Sequence, residues 1–349
     1  MQPAVFSSAL RFPFYVFRFP SHLYRMRLLL IDGHYYMYRS FFAIRELANS
    51  RGEATNAIYG FIKTVRKMLR DVSPDRAAVL WDQGLPQRRV ELQPEYKTNR
   101  AETPAQLGPQ IDFVRDTVEF LGLASIGVDD TEADDLIGTY AVAARAQDAE
   151  VIIATNDKDL FQLVDDKCRI YSTNKTEADP KTGFGLLGIE QVTTKWGIPP
   201  KLIGDVLALI GDTVDNIPGI DGIGGKTAAT LLKEHGSLDA ILANLDAVKN
   251  ERLRGKLRDG LAQIRSNREM VRLDLDLPLP RPFDALKIEP RWTELIAALE
   301  RCEFKGLMAE IKADAEKAGV PAQPMLPSTP PPPKPLPPPP QTRMQGELF

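Results

Sequence analysis

The chain has two cysteines in 349 residues, Cys168 and Cys302, and their separation matches no CxxC or zinc-type spacing. That excludes a disulfide framework and a structural zinc, and a reducing, cytoplasmic setting follows as the expectation. Histidine is nearly as scarce, with three residues in all, and none belongs to a Ser/His/Asp-like arrangement. Nucleophilic catalysis by a side chain is therefore not indicated. No apolar stretch reaches the roughly 18 residues that would read as a membrane span. An excess of one charge is missing too: the net charge is −3. Any basic contact surface must then be local and offset by acid elsewhere.

With 43% hydrophobic and 26% charged residues, the composition is that of an ordinary globular chain, long enough for one large or two modest domains. Residues 1–25 stand apart, because Arg11, Arg18 and Arg25 occur there without any acid. A targeting peptide can look like this, but Pro13, Pro20 and the arginines break up the apolar stretches. The segment reads as a disordered extension, or as the product of an upstream start with Met26 the natural one.

From Arg27 the pattern is regular. Leu28 to Ile31, Ala77 to Trp81 and Glu150 to Ala154 read as strands. Tyr35 to Leu47, Asn56 to Leu69 and Thr131 to Ala146 read as helices. That alternation predicts a parallel α/β sheet flanked by helices over residues 26–188. From about 189 to 317 the β-like runs give way to short helical segments, predicting an all-helical C-terminal domain. Twelve prolines lie between Pro321 and Pro340, so residues 318–349 read as a disordered tail with polyproline II character.

Three predicted strands run into aspartate: Asp32, Asp82, and the Asn156-Asp157-Lys158-Asp159 stretch. In open α/β sheets the crevice lies beyond the carboxyl ends of the strands, so acids distant in sequence should meet there. Glu132, Asp134 and Asp135 open a predicted helix, and Asp212 and Asp215 sit in a loop of the helical half. Taken alone, Thr131 to Asp134 is a capping box, and Asp32 or Asp82 a turn residue. Taken together, five segments crowd like charges at one edge, which is costly unless divalent cations neutralise them. A donor set of oxygen alone, with no His or Cys, selects Mg²⁺ or Mn²⁺ over zinc. Two such ions are the arrangement for phosphodiester hydrolysis.

Ile217 to Ala228 carries Gly219, Gly222, Gly224, Gly225, Lys226 and Thr227. The position five residues before the glycine of Gly225-Lys226-Thr227 is Ile220, which rules out a nucleotide P-loop. A helix-turn-helix type hairpin fits better, its backbone N–H groups and following helix N-terminus approaching a phosphate of the DNA backbone. The alternative is a tight connection whose glycines serve turn geometry only. Between Pro86 and Arg100, Arg88, Arg89, Lys97 and Arg100 outweigh Glu91 and Glu95, with Tyr96 among them. A solvated helix explains that composition. Its place directly after Asp82 suggests instead cations that draw single-stranded DNA and a tyrosine that stacks on a base.

As an ordered set these motifs resemble the 5′-nuclease domain at the N-terminus of bacterial DNA polymerase I and its flap endonuclease relatives, over about Met26 to Ile311. The set includes Asp32-Gly-His with Tyr38-Arg39, Tyr59-Gly60-Phe61, Trp81-Asp82, Tyr96-Lys97 with Arg100, Glu132 to Asp135, Thr155 to Asp159, Gly211 to Asn216, and Ile217 to Ala228. The resemblance implies a PIN-like sheet, a helical arch and a helix-three-turn-helix hairpin that often holds K⁺ through backbone carbonyls. It implies that Asp32, Asp82, Glu132, Asp134 and Asp135 bind one ion, that Asp157, Asp159, Asp212 and Asp215 complete a second, and that Arg39, Lys97 and Arg100 serve catalysis, the last two in the arch. The implied activity is 5′-3′ exonuclease and 5′-flap endonuclease on DNA flaps, nicks or ends, in primer removal and repair, at the nucleoid and without a membrane. Two rivals stand beside it, an RNA-cleaving nuclease of similar fold and a non-catalytic branched-DNA binder. Gln345 to Phe349 resembles the Gln-x-x-Leu-Phe peptide that docks on the sliding clamp, with Gln345, Leu348 and Phe349 as its contacts and the Pro-rich stretch as a tether of about 60 Å.

Overall fold

A computed structural model describes residues 25–320; the expectations for residues 1–24 and for the tail from 321, Gln345, Leu348 and Phe349 included, lie outside the described residues. Six strands form one sheet: β1 (Arg27–Asp32), β2 (Arg76–Trp81), β3 (Ala124–Gly127), β4 (Glu150–Ala154), β5 (Cys168–Ser172) and β6 (Gly185–Leu187). Their order is β3-β2-β1-β4-β5-β6, parallel throughout except for β6, which runs antiparallel to β5 at one edge. Chain order reverses between β1 and β4, so the crevice of this sheet opens where Asp32 and the segment after Ala154 emerge.

The helices are α1 (Gly33–Ala43), α2 (Asn56–Val72), α3 (Gln87–Leu92), α4 (Gly108–Phe120), α5 (Ala133–Ala146), α6 (Ile189–Trp196), α7 (Ile203–Ile210), α8 (Gly225–His235), α9 (Leu238–Ala243), α10 (Glu251–Asp259), α11 (Leu261–Met270), α12 (Trp292–Glu300) and α13 (Lys305–Lys317). No strand follows β6 among the described residues. Side chains alternate across a strand, so the sheet divides the interior into two cores. Leu28 and Leu30 of β1 pack with Leu136 and Ile137 of α5, Val206 and Leu207 of α7 and Leu232 of α8. Leu29 and Ile31 join the opposite core with Phe61 and Val65 of α2, Val114 of α4, Leu299 of α12 and Ile311 of α13. The division thus follows the sheet and not the chain position near residue 188: α6 to α11 extend one core, whereas α12 and α13 close the other.

Three helices differ in their boundaries from the sequence reading: the second helix runs on past Leu69 to Val72. The first helix stops at Ala43, where Ile44 turns extended, and not at Leu47. The fifth begins at Ala133, with Glu132 as N-cap and no capping bond from its side chain, so the expected Thr131 capping box does not form. Thr131 instead donates its hydroxyl to the carbonyl of Asp129. The segment expected to be a helical arch is helical only in the six residues of α3. Gln93 turns extended before Pro94, as a residue preceding proline must, and Lys97 and Arg100 lie on the turns that follow, Lys97 with φ of 58°.

Candidate metal centre and nucleic-acid interface

The sheet brings the predicted acids to one edge. Asp32, at the end of β1, caps α1 by accepting the Tyr35 amide at 3.0 Å, and its other oxygen accepts the Thr155 hydroxyl at 3.0 Å. Asp82 follows β2 and accepts the Ala133 amide at 2.9 Å. The cap of α5 is thus supplied from a neighbouring strand, which is why the local capping box is dispensable. The Thr155 hydroxyl also accepts the Asp157 amide at 3.0 Å, and Asp157 in turn accepts that of Asp159 at 2.9 Å. Asp212 is fixed by its antiparallel bridge to Ile217 and by accepting the Val214 amide at 2.9 Å.

Oxygens of Glu132, Asp134 and Asp135 lie within 4.8 Å of one another. Burial, reinforced by repulsion from Asp82, pushes the Asp32 carboxyl up to about 7. Burial and the neighbouring Asp135 hold Asp134 well above the usual carboxylate range. Asp159 is driven the same way by burial and by Asp157, Asp212 and Asp215, so the acids after β4 and on the helical-half loop feel one another. Asp82 moves oppositely, to about 2: burial raises it, but the His34 imidazole, the Ala133 amide and Lys97 outweigh that effect. A divalent cation relieves such repulsion, and the donors are all oxygens. Asp159 Oδ1 is buried with no hydrogen-bond partner among the described residues, an orphan acceptor on a carboxylate that feels Asp157, Asp212 and Asp215. On both counts the residues fit a hard divalent ion.

The basic segment behaves differently from its sequence reading. Arg89 is 2% exposed and its guanidinium contacts Glu132 and, at 2.9 Å, Asp135. Tyr96 is 4% exposed and donates its hydroxyl to Glu132 at 3.1 Å. Arg88 donates through its two terminal nitrogens to the carbonyls of Glu269 and Arg272, while its buried Nε has no partner among the described residues. The expected DNA contacts of Arg88, Arg89 and the stacking role of Tyr96 are thus corrected: acids from α5 and carbonyls at the end of α11 draw these groups inward. Lys97 bonds Glu132 and stands 3.8 Å from Asp215, and Arg100 pairs with Asp215 at its exposed end. Arg39 is exposed on α1, donates to the Tyr35 hydroxyl at 2.9 Å and has no ion pair among the described residues.

Sequence reasoning passed over His34, whose Nδ1 lies 3.1 Å from Asp82, Thr155, which joins Asp32 to Asp157, and Lys158, which pairs with Asp212 at 2.8 Å. Each stands within two residues of a predicted acid, which was the available signal.

The loop from Gly211 to Gly224 joins α7 to α8 as a hairpin. A Cβ on Gly219 would lie 2.1 Å from the Ile210 carbonyl, so this glycine serves close chain packing. Gly222 has φ of 69°, a turn requirement. Gly224 and Gly225 face open space and neither has a positive φ, so nothing internal demands glycine there. They stand at the N-terminus of α8, which has no side-chain cap, with Lys226 exposed and Thr227 half-buried beside them. Uncapped amides with no side chain in front are an anion site in form. The hairpin carbonyls on which the K⁺ expectation rests each already take one donor and keep a second lone pair. The carbonyl of Pro218 accepts Asn267 at 2.8 Å, that of Ile220 accepts the Ile223 amide at 2.9 Å, and that of Asp221 already holds the Lys256 ammonium at 2.7 Å.

No helix of the described residues is long and apolar enough to cross a membrane. Family models match consecutive parts of the chain: a 5′-3′ exonuclease N-terminal resolvase-like domain over residues 27–197, and a 5′-3′ exonuclease C-terminal SAM fold over residues 198–294. The chain is 40% identical over 284 residues to a thermostable DNA polymerase I of Thermus thermophilus, covering 81% of this chain and 33% of that one. It is 34% identical over 295 residues to DNA polymerase I of Bacillus subtilis, covering 84% and 33%. It spans about a third of the length of these curated relatives. Its fold is similar to that of the T5 5′-exonuclease with bound zinc, with a TM-score of 0.56 and 20% identity over 83% of this chain and 98% of that chain. The catalytic core of Rad2 in complex with DNA substrate is similar at a TM-score of 0.56 and 16% identity, covering 83% and 91%. By the two models, which together take in most of its length, the chain belongs to the 5′-3′ exonuclease family.

Proposed function

We propose that the chain is a Mg²⁺-dependent 5′-3′ exonuclease and 5′-flap endonuclease that hydrolyses DNA phosphodiesters in primer removal and repair, Mn²⁺ being able to replace Mg²⁺. The observation that carries the reading is the crowding of acids: oxygens of Glu132, Asp134 and Asp135 lie within 4.8 Å of one another, Asp32 feels Asp82 and Asp157, and Asp159, its Oδ1 without a partner among the described residues, feels Asp157, Asp212 and Asp215. Asp32, Asp82, Glu132, Asp134 and Asp135 hold one ion; Asp157, Asp159, Asp212 and Asp215 hold the other. Bound there, the ions supply an activated water and stabilise the leaving oxygen, so no nucleophilic side chain is needed. Lys97 and Arg100 stand on the turns over this edge and carry the positive charge that meets the scissile phosphate, while Arg39 reaches the 5′ strand from α1. The amides of Gly224 and Gly225, with Lys226 and Thr227, grip the phosphate backbone of the duplex without reading its bases.

A synthetic DNA with a 5′ flap, incubated with Mg²⁺ or with EDTA, tests this. Mg²⁺-dependent removal of the flap is expected. Binding without cutting would favour a branched-DNA binder, and cutting of RNA alone a PIN-type ribonuclease; either result sinks the proposal.

The terminal Gln345-Gly346-Glu347-Leu348-Phe349 supports a second element of the reading, docking on the DNA sliding clamp through Gln345, Leu348 and Phe349. Removing these five residues is expected to abolish co-elution with the clamp while flap cleavage persists. Unchanged co-elution removes the clamp from the picture.

A further inference from the structure

Arg89 is the most deeply buried charged side chain of the segment after Asp82, and its contacts come from two sides at once. From α3 its guanidinium bonds Glu132, reaches Asp135 at 2.9 Å and stands 3.7 Å from Asp134, all in or beside the first turn of α5. On its other side the same group donates to the carbonyls of Met270 at 3.2 Å and Arg272 at 3.1 Å, at the end of α11. Asp135 is gripped from behind as well, accepting the Asp274 amide at 2.9 Å on the oxygen that faces Arg89. We propose that Arg89 is a positioning residue: pinned by the α11 carbonyls, its planar fork sets the direction in which Asp135 presents its other oxygen to a divalent ion and, together with Lys97 and the Tyr96 hydroxyl, fixes the place of the Glu132 carboxylate. This rests on the metal-centre reading above and assigns Arg89 no contact with nucleic acid.

The sign of the effect separates this role from a simpler one. If Arg89 only screened negative charge, removing it would make the cluster more negative and tighten cation binding. If it orients the carboxylates, removing it takes away the group that ties Glu132 to Asp135, and binding weakens. Groups that fix the geometry of metal-binding side chains typically contribute about 10- to 100-fold to affinity. A lysine keeps the charge but not the fork, so it restores only part. Arg88 provides the control. It bonds the Glu269 and Arg272 carbonyls as Arg89 bonds those of Met270 and Arg272, yet of the acids it meets only Asp274, so it anchors the same corner without touching the cluster.

The test is Mn²⁺ binding by titration calorimetry on the full chain, freed of metal with EDTA, together with its thermal unfolding. Arg89→Met is expected to bind Mn²⁺ about 10- to 100-fold more weakly, Arg89→Lys to fall between, and Arg88→Met to match the wild type. Unchanged or tighter binding in Arg89→Met overturns the proposal, and so does an equal loss in Arg88→Met, which would make the corner a general anchor. Should Arg89→Met not fold, Arg89→Lys against Arg88→Lys decides: a loss confined to Arg89→Lys supports the role and equal affinities overturn it. A wild type that binds no Mn²⁺ fails the metal-centre reading itself, a result distinct from a wild type and variant that bind alike.

Discussion

Asp82→Ala is expected to cut Mg²⁺-dependent flap cleavage by about a thousandfold or more, the equivalent of roughly 4 kcal/mol of transition-state stabilisation, while flap binding in EDTA stays measurable. Asp82 is held down to about 2, so it is ionised wherever the protein is used, and it stands between His34, Lys97 and the start of α5. It also caps α5 through the Ala133 amide, and losing a cap costs about 1 kcal/mol. Asp82→Asn separates the two roles, because the amide oxygen can still accept from Ala133 but carries no charge. Cleavage by Asp82→Asn at the wild-type rate would show that the carboxylate is a cap and nothing more.

Stability in EDTA is expected to fall as pH rises from about 4 to about 7, and Mg²⁺ to remove that slope. Asp32 ordinarily titrates near 3.8 and is pushed up to about 7 in the fold. The folded protein therefore holds this proton more tightly than the unfolded chain. The stabilisation is complete below the ordinary value and lost as pH climbs through the raised one. Asp134, Asp135 and Asp159 shift in the same direction. Asp82 shifts the other way, but its contribution is lost only as pH falls from 3.8 towards 2, outside this window. An ion at a hundred times its dissociation constant adds about 2.7 kcal/mol. Urea unfolding at about pH 5 and about pH 8, with and without Mg²⁺, measures both effects. A metal-free protein that is more stable at the higher pH, or one indifferent to Mg²⁺, contradicts the mutual crowding of the acids.

Much of this centre was legible in the sequence because strands that end in aspartate need only local pattern and the crevice rule to be placed. Asp32, Asp82 and Asp157 follow from β1, β2 and β4, whose apolar runs are unbroken. β3, β5 and β6 were not anticipated: Ala124–Gly127 and Gly185–Leu187 are too short, and Cys168–Ser172 too interrupted by polar residues, to show a period. The inward turn of Arg89 and Tyr96 was illegible for another reason. Charge and aromaticity in one segment look the same whether a group faces solvent or a partner 36 to 46 residues away, and only the fold supplies Glu132 and Asp135. The capping of α5 by Asp82 misled in the same way, since a local box at Thr131 satisfied the sequence pattern fully.

The closing of one core by α12 and α13 bears on how the molecule is made. Leu29, Ile31 and Phe61 emerge early in synthesis, yet Leu299, Leu307 and Ile311 that cover the same core come from the far end of the chain. Contacts of such long sequence separation form late and slowly. Until they form, that side of the growing sheet stays open to water and to other chains, a state prone to aggregation. A truncation just after residue 294, where the second family match ends, would make that transient exposure permanent.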